Sequence, residues 1–282
     1  MTTESTDQQR WLTPRSPLTG EVVGTVPVTE AAEVAAVVAR SRQVFSDWGA
    51  MSHAERKPHL RALTKHVQRS MDRIAAVVTS ETGKHPGGSR IEVVSALTAM
   101  DFFTRNAEKI LRPKKGTSWP FLITKGWTEY HPLGVAGVIT PWNYPFYLPM
   151  IAVTQALSAG CTAVLKPSEL TPMSGQLIQD LAIEVGLPED VVQVIHGDGA
   201  TGAALVEANT DVIGFIGSPQ VGKSIAAEAA KTLKPIILEL GGKDAQIVLE
   251  DANVKTAARA AVTFGVFNAG QTCTGIERVY VV

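Results

Sequence analysis

The second half of the chain alternates short apolar runs with helical patterns, and this alternation restricts the fold more than any other feature. Six runs after Leu133 have the character of strands: 134–140, 161–166, 191–196, 211–216, 235–240 and 245–249. Segments with helical spacing lie between or after them: about 146–159, 172–185, 199–208, 219–231 and 253–264. Continuous apolar strands separated by helices indicate a parallel sheet covered on both faces. With right-handed crossovers, this predicts an α/β fold with a doubly wound, Rossmann-like sheet.

Helical patterns also fill most of the chain before Leu133. An Ala-rich helix is predicted over 30–48, and Ser52 with Glu55 forms a capping box that should begin a second helix. Further helix follows, interrupted by a turn region over 83–88. The Trp-rich stretch 117–131 resembles a hairpin.

The composition excludes several classes of protein. Among 282 residues, 26 are Lys or Arg and 27 are Asp or Glu, which argues against a nucleic-acid-binding protein. The N-terminus lacks the layout of a signal peptide, and no run of about 18 apolar residues predicts a membrane span. The two cysteines form no disulfide framework and, with six scattered histidines, suggest no metal site. We expect a cytoplasmic protein.

Polar, glycine-containing segments directly follow five of the predicted strands. They are PWNYP (141–145), KPSE (166–169), GDG (197–199), GSPQVG (217–222) and GGK (241–243). Ligands of doubly wound sheets lie beyond the carboxyl ends of the strands. These five segments are therefore the predicted site.

The segment GSPQVGKS (217–224) matches the P-loop pattern between a strand and a helix, which would favour an NTP-binding phosphotransferase. Pro219, however, removes a backbone N–H that a phosphate nest would use. A helix N-terminus that approaches a pyrophosphate and a plain glycine turn are the other interpretations.

Two residues have the chemistry of a reaction centre. Cys273 lies among small and polar residues in NAGQTCTG, which suits a nucleophile, whereas a lone cysteine is more often an inert buried residue, as Cys161 is expected to be. Glu239 ends an apolar strand, where burial would raise its pKa and suit a general base. Alternatively, Glu239 turns to solvent or pairs with Lys243.

Two further side chains have both a functional and an ordinary interpretation. Asn143 lies in a turn between two prolines, where asparagine is common, but its amide could also donate to an oxyanion. Lys166 could fix a phosphate or a ribose, or simply be solvated.

Taken together, PWNYP, LKPSELTP, GFIGSPQVGK, LELGGKDA and FNAGQTC occur in an order that resembles the NAD(P)-dependent aldehyde dehydrogenase superfamily. The succinate-semialdehyde dehydrogenases and related broad-range enzymes are the most similar branch. The resemblance extends over nearly the whole chain to Val282.

The resemblance implies a role for each matching position. Cys273 would be the nucleophile, Glu239 the general base, and Asn143 an oxyanion donor beside the backbone N–H of Cys273. The cofactor would lie against residues from four of the five segments and against Leu240, directly before the fifth: Trp142, Asn143, Lys166, Ser168, Glu169, Gly199, Gly217, Ser218, Val221, Gly222 and Leu240. NAD is expected because the carboxylate of Glu169 would accept a hydrogen bond from a ribose hydroxyl and would repel a 2′-phosphate. Ser168 leaves NADP as an alternative cofactor.

The resemblance also implies an NAD(P)-binding domain over 1–240 and the start of an incomplete catalytic domain over 241–282. A hairpin arm near 117–132 would serve oligomerisation, since full-length relatives are expected to be homo-oligomers. The implied substrate is a small-molecule aldehyde, with no nucleic acid or membrane as partner. The resemblance also leads us to expect that the chain is truncated at Val282, and the alternative function is a catalytically inactive remnant that at most binds a dinucleotide.

Overall fold

The computed structural model describes residues 9–117, 119–120 and 123–282. A five-stranded parallel sheet forms its centre, in the order β7-β6-β5-β8-β9. The strands are Val135–Ile139 (β5), Thr162–Lys166 (β6), Val192–Val194 (β7), Val212–Gly217 (β8) and Ile236–Leu240 (β9). This confirms the predicted doubly wound sheet. The chain runs from β5 to β7 in one direction and then returns to the other side of β5, so the sheet reverses direction between β5 and β8.

The sixth predicted strand lies outside this sheet. Ala245–Val248 (β10) pairs in parallel with Arg278–Val281 (β11), a strand that the sequence did not predict, and the two form a separate sheet. β9 is therefore an edge strand, with β8 as its neighbour in the sheet.

Helices cover both faces of the central sheet. The helices are Ala31–Ala50 (α1), His53–Arg69 (α2), Met71–Thr82 (α3), Pro86–Leu111 (α4), Tyr147–Ala159 (α5), Pro172–Glu184 (α6), Gly199–Glu207 (α7), Pro219–Ala230 (α8) and Val254–Gly265 (α9). Helices α2 to α6 pack in one apolar core with residues of β5 and β6, and α1 and α7 pack on the opposite face. None of the described helices is both long and apolar enough to cross a bilayer.

Local sequence signals explain how several helices begin. Ser52 caps α2, and its side chain accepts the N–H of Glu55 as the capping box predicts. Glu30 and Glu33 form a second capping box at α1, which the sequence did not reveal. Pro172 and Pro219 occupy the first positions of α6 and α8, where a missing N–H costs nothing.

Short strand pairs complete the fold. Trp11–Leu12 (β1) pairs with Val26–Pro27 (β2), and Lys114–Lys115 (β3) pairs with Trp127–Thr128 (β4). The second pair is the base of the predicted hairpin, so the hairpin begins a few residues earlier than the Trp-rich stretch 117–131 suggested. Residues 118, 121 and 122 of that stretch lie outside the described residues.

Candidate active site

The predicted cofactor residues come together at one edge of the sheet because parallel strands place their carboxyl ends on the same side. They follow the five strands in turn: Trp142 and Asn143 after β5, Lys166, Ser168 and Glu169 at and after β6, Gly199 after β7, Gly217, Ser218, Val221 and Gly222 from the end of β8 into α8, and Leu240 at the end of β9. The point where the sheet reverses, between β5 and β8, lies in the middle of this edge. A crevice at such a point is where open α/β sheets bind ligands.

Lys166 is a buried cation at the end of β6. Its Nζ lies 3.3 Å from Oε2 of Glu169, whose side chain is half exposed. Burial and the neighbouring Lys166 lower the pKa of His196 to about 4, so this imidazole is neutral at physiological pH. The buried Nζ atom of Lys166 thus lies beside a carboxylate that remains accessible to a ligand.

The junction of β8 and α8 lies at the same edge of the sheet and contains glycine residues. Ser218 caps α8, and its Oγ accepts the N–H of Val221 at 3.3 Å. A Cβ added to Gly222 would lie 2.7 Å from Cδ2 of Leu240, so α8 packs closely against the end of β9. A Cβ on Gly199, at the start of α7, would meet no other atom within 4 Å. The start of α7 therefore leaves space for a phosphate group to approach the backbone, whereas Leu240 lies close to α8 at Gly222.

The turn after β5 contacts the segment that precedes Cys273. The Nδ2 atom of Asn143 donates a hydrogen bond to the carbonyl oxygen of Gln271 at 3.0 Å. The hydroxyl groups of Tyr144 and Thr272 are hydrogen-bonded to each other at 3.1 Å. Burial raises the pKa of Tyr144, which keeps its phenol protonated. The exposed thiol of Cys273 thus follows two residues that the β5 turn holds.

The backbone before Cys273 is tightly turned. Asn268, Ala269 and Gly270 all have left-handed conformations, with φ of 54°, 59° and 74°. Asparagine and glycine tolerate this region, but for Ala269 it is strained. The side chain of Asn268 stabilises the turn by donating to the carbonyl oxygens of Asn143 and Gln271, at 3.0 and 3.1 Å.

The burial of Glu239 differs from one expectation. The sequence left open whether the Glu239 carboxylate is buried at the end of a core strand or turns to solvent. Glu239 is exposed, as are its neighbours Ile237 and Leu240, so the burial expected of a general base is not found. The reason is that side chains alternate between the two faces of a strand: Ile236 and Leu238 of β9 pack against the core, whereas Ile237 and Glu239 lie on the opposite, exposed face. The alternative partner is also wrong, since Lys243 forms an ion pair with Glu277 instead. Glu239 still lies at the carboxyl edge, one residue before the end of β9.

Two charged residues beneath the site were not predicted from the sequence. Lys84 and Glu92 are buried together and contact the turn after β5. One signal for Glu92 was available, because it lies on the same helical stripe as the buried residues Ala96 and Met100 of α4. Lys84 had no comparable signal within the turn at 83–88.

The comparisons with known proteins decide the family. Residues 3–282 match the aldehyde dehydrogenase family. The chain belongs to the aldehyde dehydrogenase family. The sequence resemblance is thereby confirmed.

Individual relatives show how much of their length the chain covers. It is 38% identical to 4,4'-diapolycopene aldehyde oxidase of Methylomonas sp over 269 residues, covering 94% of this chain and 51% of that protein. It is 36% identical to a Mycolicibacterium smegmatis protein provisionally named succinate-semialdehyde dehydrogenase (NADP+), with 93% and 51% covered. The structure of PnpE in complex with nicotinamide adenine dinucleotide superposes with a TM-score of 0.92 at 33% identity, covering 96% of this chain and 56% of that one. The chain spans about half the length of the relatives it matches.

Proposed function

We propose that the protein oxidises an aldehyde to a carboxylic acid with NAD(P)+, using Cys273 as the nucleophile. The hydrogen bond from Asn143 to Gln271 carries this proposal, since it joins an amide donor to the segment that bears the thiol. Membership of the aldehyde dehydrogenase family supports the same assignment.

The first step needs a nucleophile and a donor for the developing charge. The Sγ atom of Cys273 attacks the carbonyl carbon as a thiolate and forms a thiohemiacetal, whose oxygen carries the negative charge. Asn143 Nδ2 has a second N–H besides the one that binds Gln271, and this N–H and the backbone N–H of Cys273 stabilise that oxygen.

The second step releases the acid. When bound, an oxidised nicotinamide supplies the acceptor for the hydride that leaves the thiohemiacetal carbon, and a thioester on Cys273 remains. Glu239 then takes a proton from water, the resulting hydroxide attacks the thioester carbon, and the Cys273 thiolate leaves as the carboxylic acid is formed. An exposed carboxylate at the end of β9 is accessible to that water.

The described residues fit a dinucleotide. The N-termini of α7 and α8 would approach a pyrophosphate, and the Lys166–Glu169 pair would bind the adenosine ribose. Trp142, Ser168 and Val221 would border the same cofactor, which gives the P-loop-like segment a role without phosphoryl transfer. We propose NAD as the preferred form because the free part of the Glu169 carboxylate would repel a 2′-phosphate.

Other parts of the proposal concern the whole protein. Succinate semialdehyde is one proposed substrate, supported by the name of the Mycolicibacterium smegmatis relative. We propose a boundary after residue 240 between a cofactor-binding domain and the start of a catalytic domain, because the central sheet ends there. The hairpin based on β3 and β4 exposes Trp119 and Trp127, which supports a role in homo-oligomerisation. A cytoplasmic location is in keeping with two free cysteines.

The decisive experiment measures NADH formation from NAD+ and a panel of short-chain aldehydes. We expect turnover in the wild-type protein, loss of turnover in Cys273→Ala, and full turnover in Cys161→Ala, which alters a buried thiol away from the site. Binding of NAD+ without turnover in the folded wild-type protein would favour the alternative, a dinucleotide-binding remnant. ATP binding that is lost in Lys223→Ala would favour the phosphotransferase.

A further inference from the structure

A buried ion pair lies beneath the turn that follows β5. The Nζ atom of Lys84 lies 2.6 Å from Oε2 of Glu92, and the two side chains are 1% and 0% exposed. Lys84 directly follows Gly83, which ends α3 in a left-handed conformation, and Glu92 lies in α4. The loss of hydration on burying two charges often cancels their attraction, so such a pair adds little to stability by itself. The role of the pair must therefore follow from the other groups that it binds.

Each member of the pair holds one end of the same turn. Lys84 donates to the carbonyl oxygen of Asn143 at 3.0 Å, and its ammonium lies 4.8 Å from the ring centre of Tyr144. The Oε1 atom of Glu92 accepts hydrogen bonds from the backbone N–H groups of Phe146 and Tyr147, at 2.9 and 3.0 Å, at the start of α5. A carboxylate at a helix N-terminus is favourably placed. The turn is therefore fixed at both ends by a single buried pair.

The two residues that Lys84 contacts are those that bind the Cys273 segment. Asn143 binds the carbonyl oxygen of Gln271, and Tyr144 binds the hydroxyl of Thr272. Lys84 therefore contacts both residues, Asn143 and Tyr144, through which the turn after β5 binds the segment immediately before Cys273. The carbonyl that Lys84 binds belongs to Asn143 itself, so the ammonium helps to fix where the Asn143 amide lies.

We propose that Lys84 and Glu92 are positioning residues for the aldehyde reaction. The pair fixes Asn143 and Tyr144, and through them it fixes the distance between the oxyanion donor and the thiol of Cys273. Neither residue is a catalytic residue. This inference rests on the proposed function, since it assigns to the pair a role in the same reaction.

The test must separate positioning from stability. Lys84→Met alone would leave a buried charge on Glu92 and could prevent folding. The double variant Lys84→Met/Glu92→Gln avoids this, because it removes both charges and keeps a side-chain oxygen for the N–H groups of Phe146 and Tyr147. It still loses the contacts from Lys84 to Asn143 and Tyr144.

Lys234→Met is the matched control. The Lys234 ammonium also binds backbone carbonyls, those of Val206 and Ala208, and the hydroxyl of Thr210. Thr210 precedes β8, so these contacts lie at the amino edge of the sheet, opposite the site. The control therefore removes a comparable lysine without touching the turn after β5.

Two measurements on the whole protein decide the question. In the double variant, the rate of amide hydrogen exchange over residues 266–276 should increase about tenfold or more, while the rate in β6 stays unchanged. In Lys234→Met, the rate over 266–276 should stay at the wild-type value. With aldehyde and NAD+, kcat should fall about 10²-fold at an unchanged KM for NAD+. Unchanged exchange over 266–276, an increase spread equally over β6, or an unchanged kcat in an active protein would overturn the proposal. If the wild-type protein shows no turnover, the proposed function fails, and the exchange experiment still decides whether the pair positions the segment.

Discussion

The side-chain amide of Asn143 donates to the backbone carbonyl of Gln271 at 3.0 Å, across 128 residues of sequence. The first residue follows a central strand of the large sheet, and the second precedes Cys273. Together with the hydrogen bonds between Tyr144 and Thr272 and from Asn268 to the Asn143 carbonyl, this contact joins the turn after β5 to the segment that carries the exposed thiol, so the position of each depends on the other.

Replacing Asn143 by Ala should lower kcat/KM for the aldehyde by about 10²–10³-fold, because both the contact with Gln271 and the oxyanion donor are lost. Asn143→Asp should be similarly impaired, since a carboxylate repels an oxyanion. The control is Asn106→Ala, because Asn106 also donates to a backbone carbonyl, that of Phe102, but on the exposed side of α4. Steady-state NADH formation at saturating NAD+ checks this, and wild-type rates in Asn143→Ala would refute the assigned role.

Glu81 should make stability fall as the pH rises. Burial raises its pKa to about 7, although it accepts hydrogen bonds from Met173 and Ser174 at the start of α6. The folded protein therefore holds a proton that the unfolded chain releases near pH 4.5, and the stabilisation present below that pH is lost on approaching pH 7. Relative to Glu81→Gln, the wild-type free energy of unfolding should decrease by about 3 kcal/mol over this range. Urea titrations at several pH values test this, and parallel pH profiles for the two proteins would contradict it.

His196 should have the opposite effect. Burial, and secondarily Lys166, lower its pKa to about 4, and its Nε2 is hydrogen-bonded to Gln176 at 2.9 Å. Below about pH 6.5 the unfolded chain binds a proton at His196, whereas the folded protein does not bind it until about pH 4. The stabilising contribution of His196 is therefore lost as the pH falls from 6.5 towards 4.

The variant that isolates this effect is His196→Gln in the Glu81→Gln background. The free energy of unfolding should increase with pH between 4 and 6.5 in Glu81→Gln and change less in the double variant. Because the effects of Glu81 and His196 have opposite signs over an overlapping range, they should largely cancel in the wild-type protein. A steep wild-type dependence in that range would argue against one of the two assignments.

Two helical glycines should respond differently to the same substitution. A Cβ on Gly175 of α6 would lie 2.3 Å from Cγ of Pro167, a rigid ring in the loop after β6. Gly175→Ala should therefore lower the free energy of unfolding by about 1–3 kcal/mol and weaken NAD+ binding through the displaced loop. A Cβ on Gly88 of α4 would meet nothing within 4 Å, so Gly88→Ala should raise stability by about 0.5–1 kcal/mol. Equal effects of the two substitutions in thermal unfolding would contradict this packing argument.

The sequence predicted well the features that depend on local pattern. The strands of the central sheet and the helices between them follow from apolar periodicity and from caps such as Ser52. The polar segments after the strands also lie at one edge, because a parallel sheet requires it. The sequence left open whether Glu239 is buried or turns to solvent. Its exposure depends on which face of β9 is covered by other elements, and that is a property of the whole fold.

Contacts between segments that are distant in the sequence were also not predicted. The pairing of Lys84 with Glu92 depends on how α3 and α4 pack, and the strand β11 depends on a partner at β10. No periodicity within either segment specifies such a partner. The family resemblance supplied roles for Cys273, Glu239 and Asn143, which stay proposals, but it did not indicate the buried pair that fixes Asn143.

The strand order also has a consequence for how the protein folds. Ala136 of β5 pairs with Val212 of β8, 76 positions later in the chain, whereas β5, α5 and β6 form a contiguous unit. Contacts between distant residues form slowly, because a long loop must first be closed. During synthesis, one edge of β5 remains unpaired until β8 has left the ribosome. The proposed binding crevice is therefore among the last parts of the sheet to assemble, and until then an apolar strand edge is exposed to other chains.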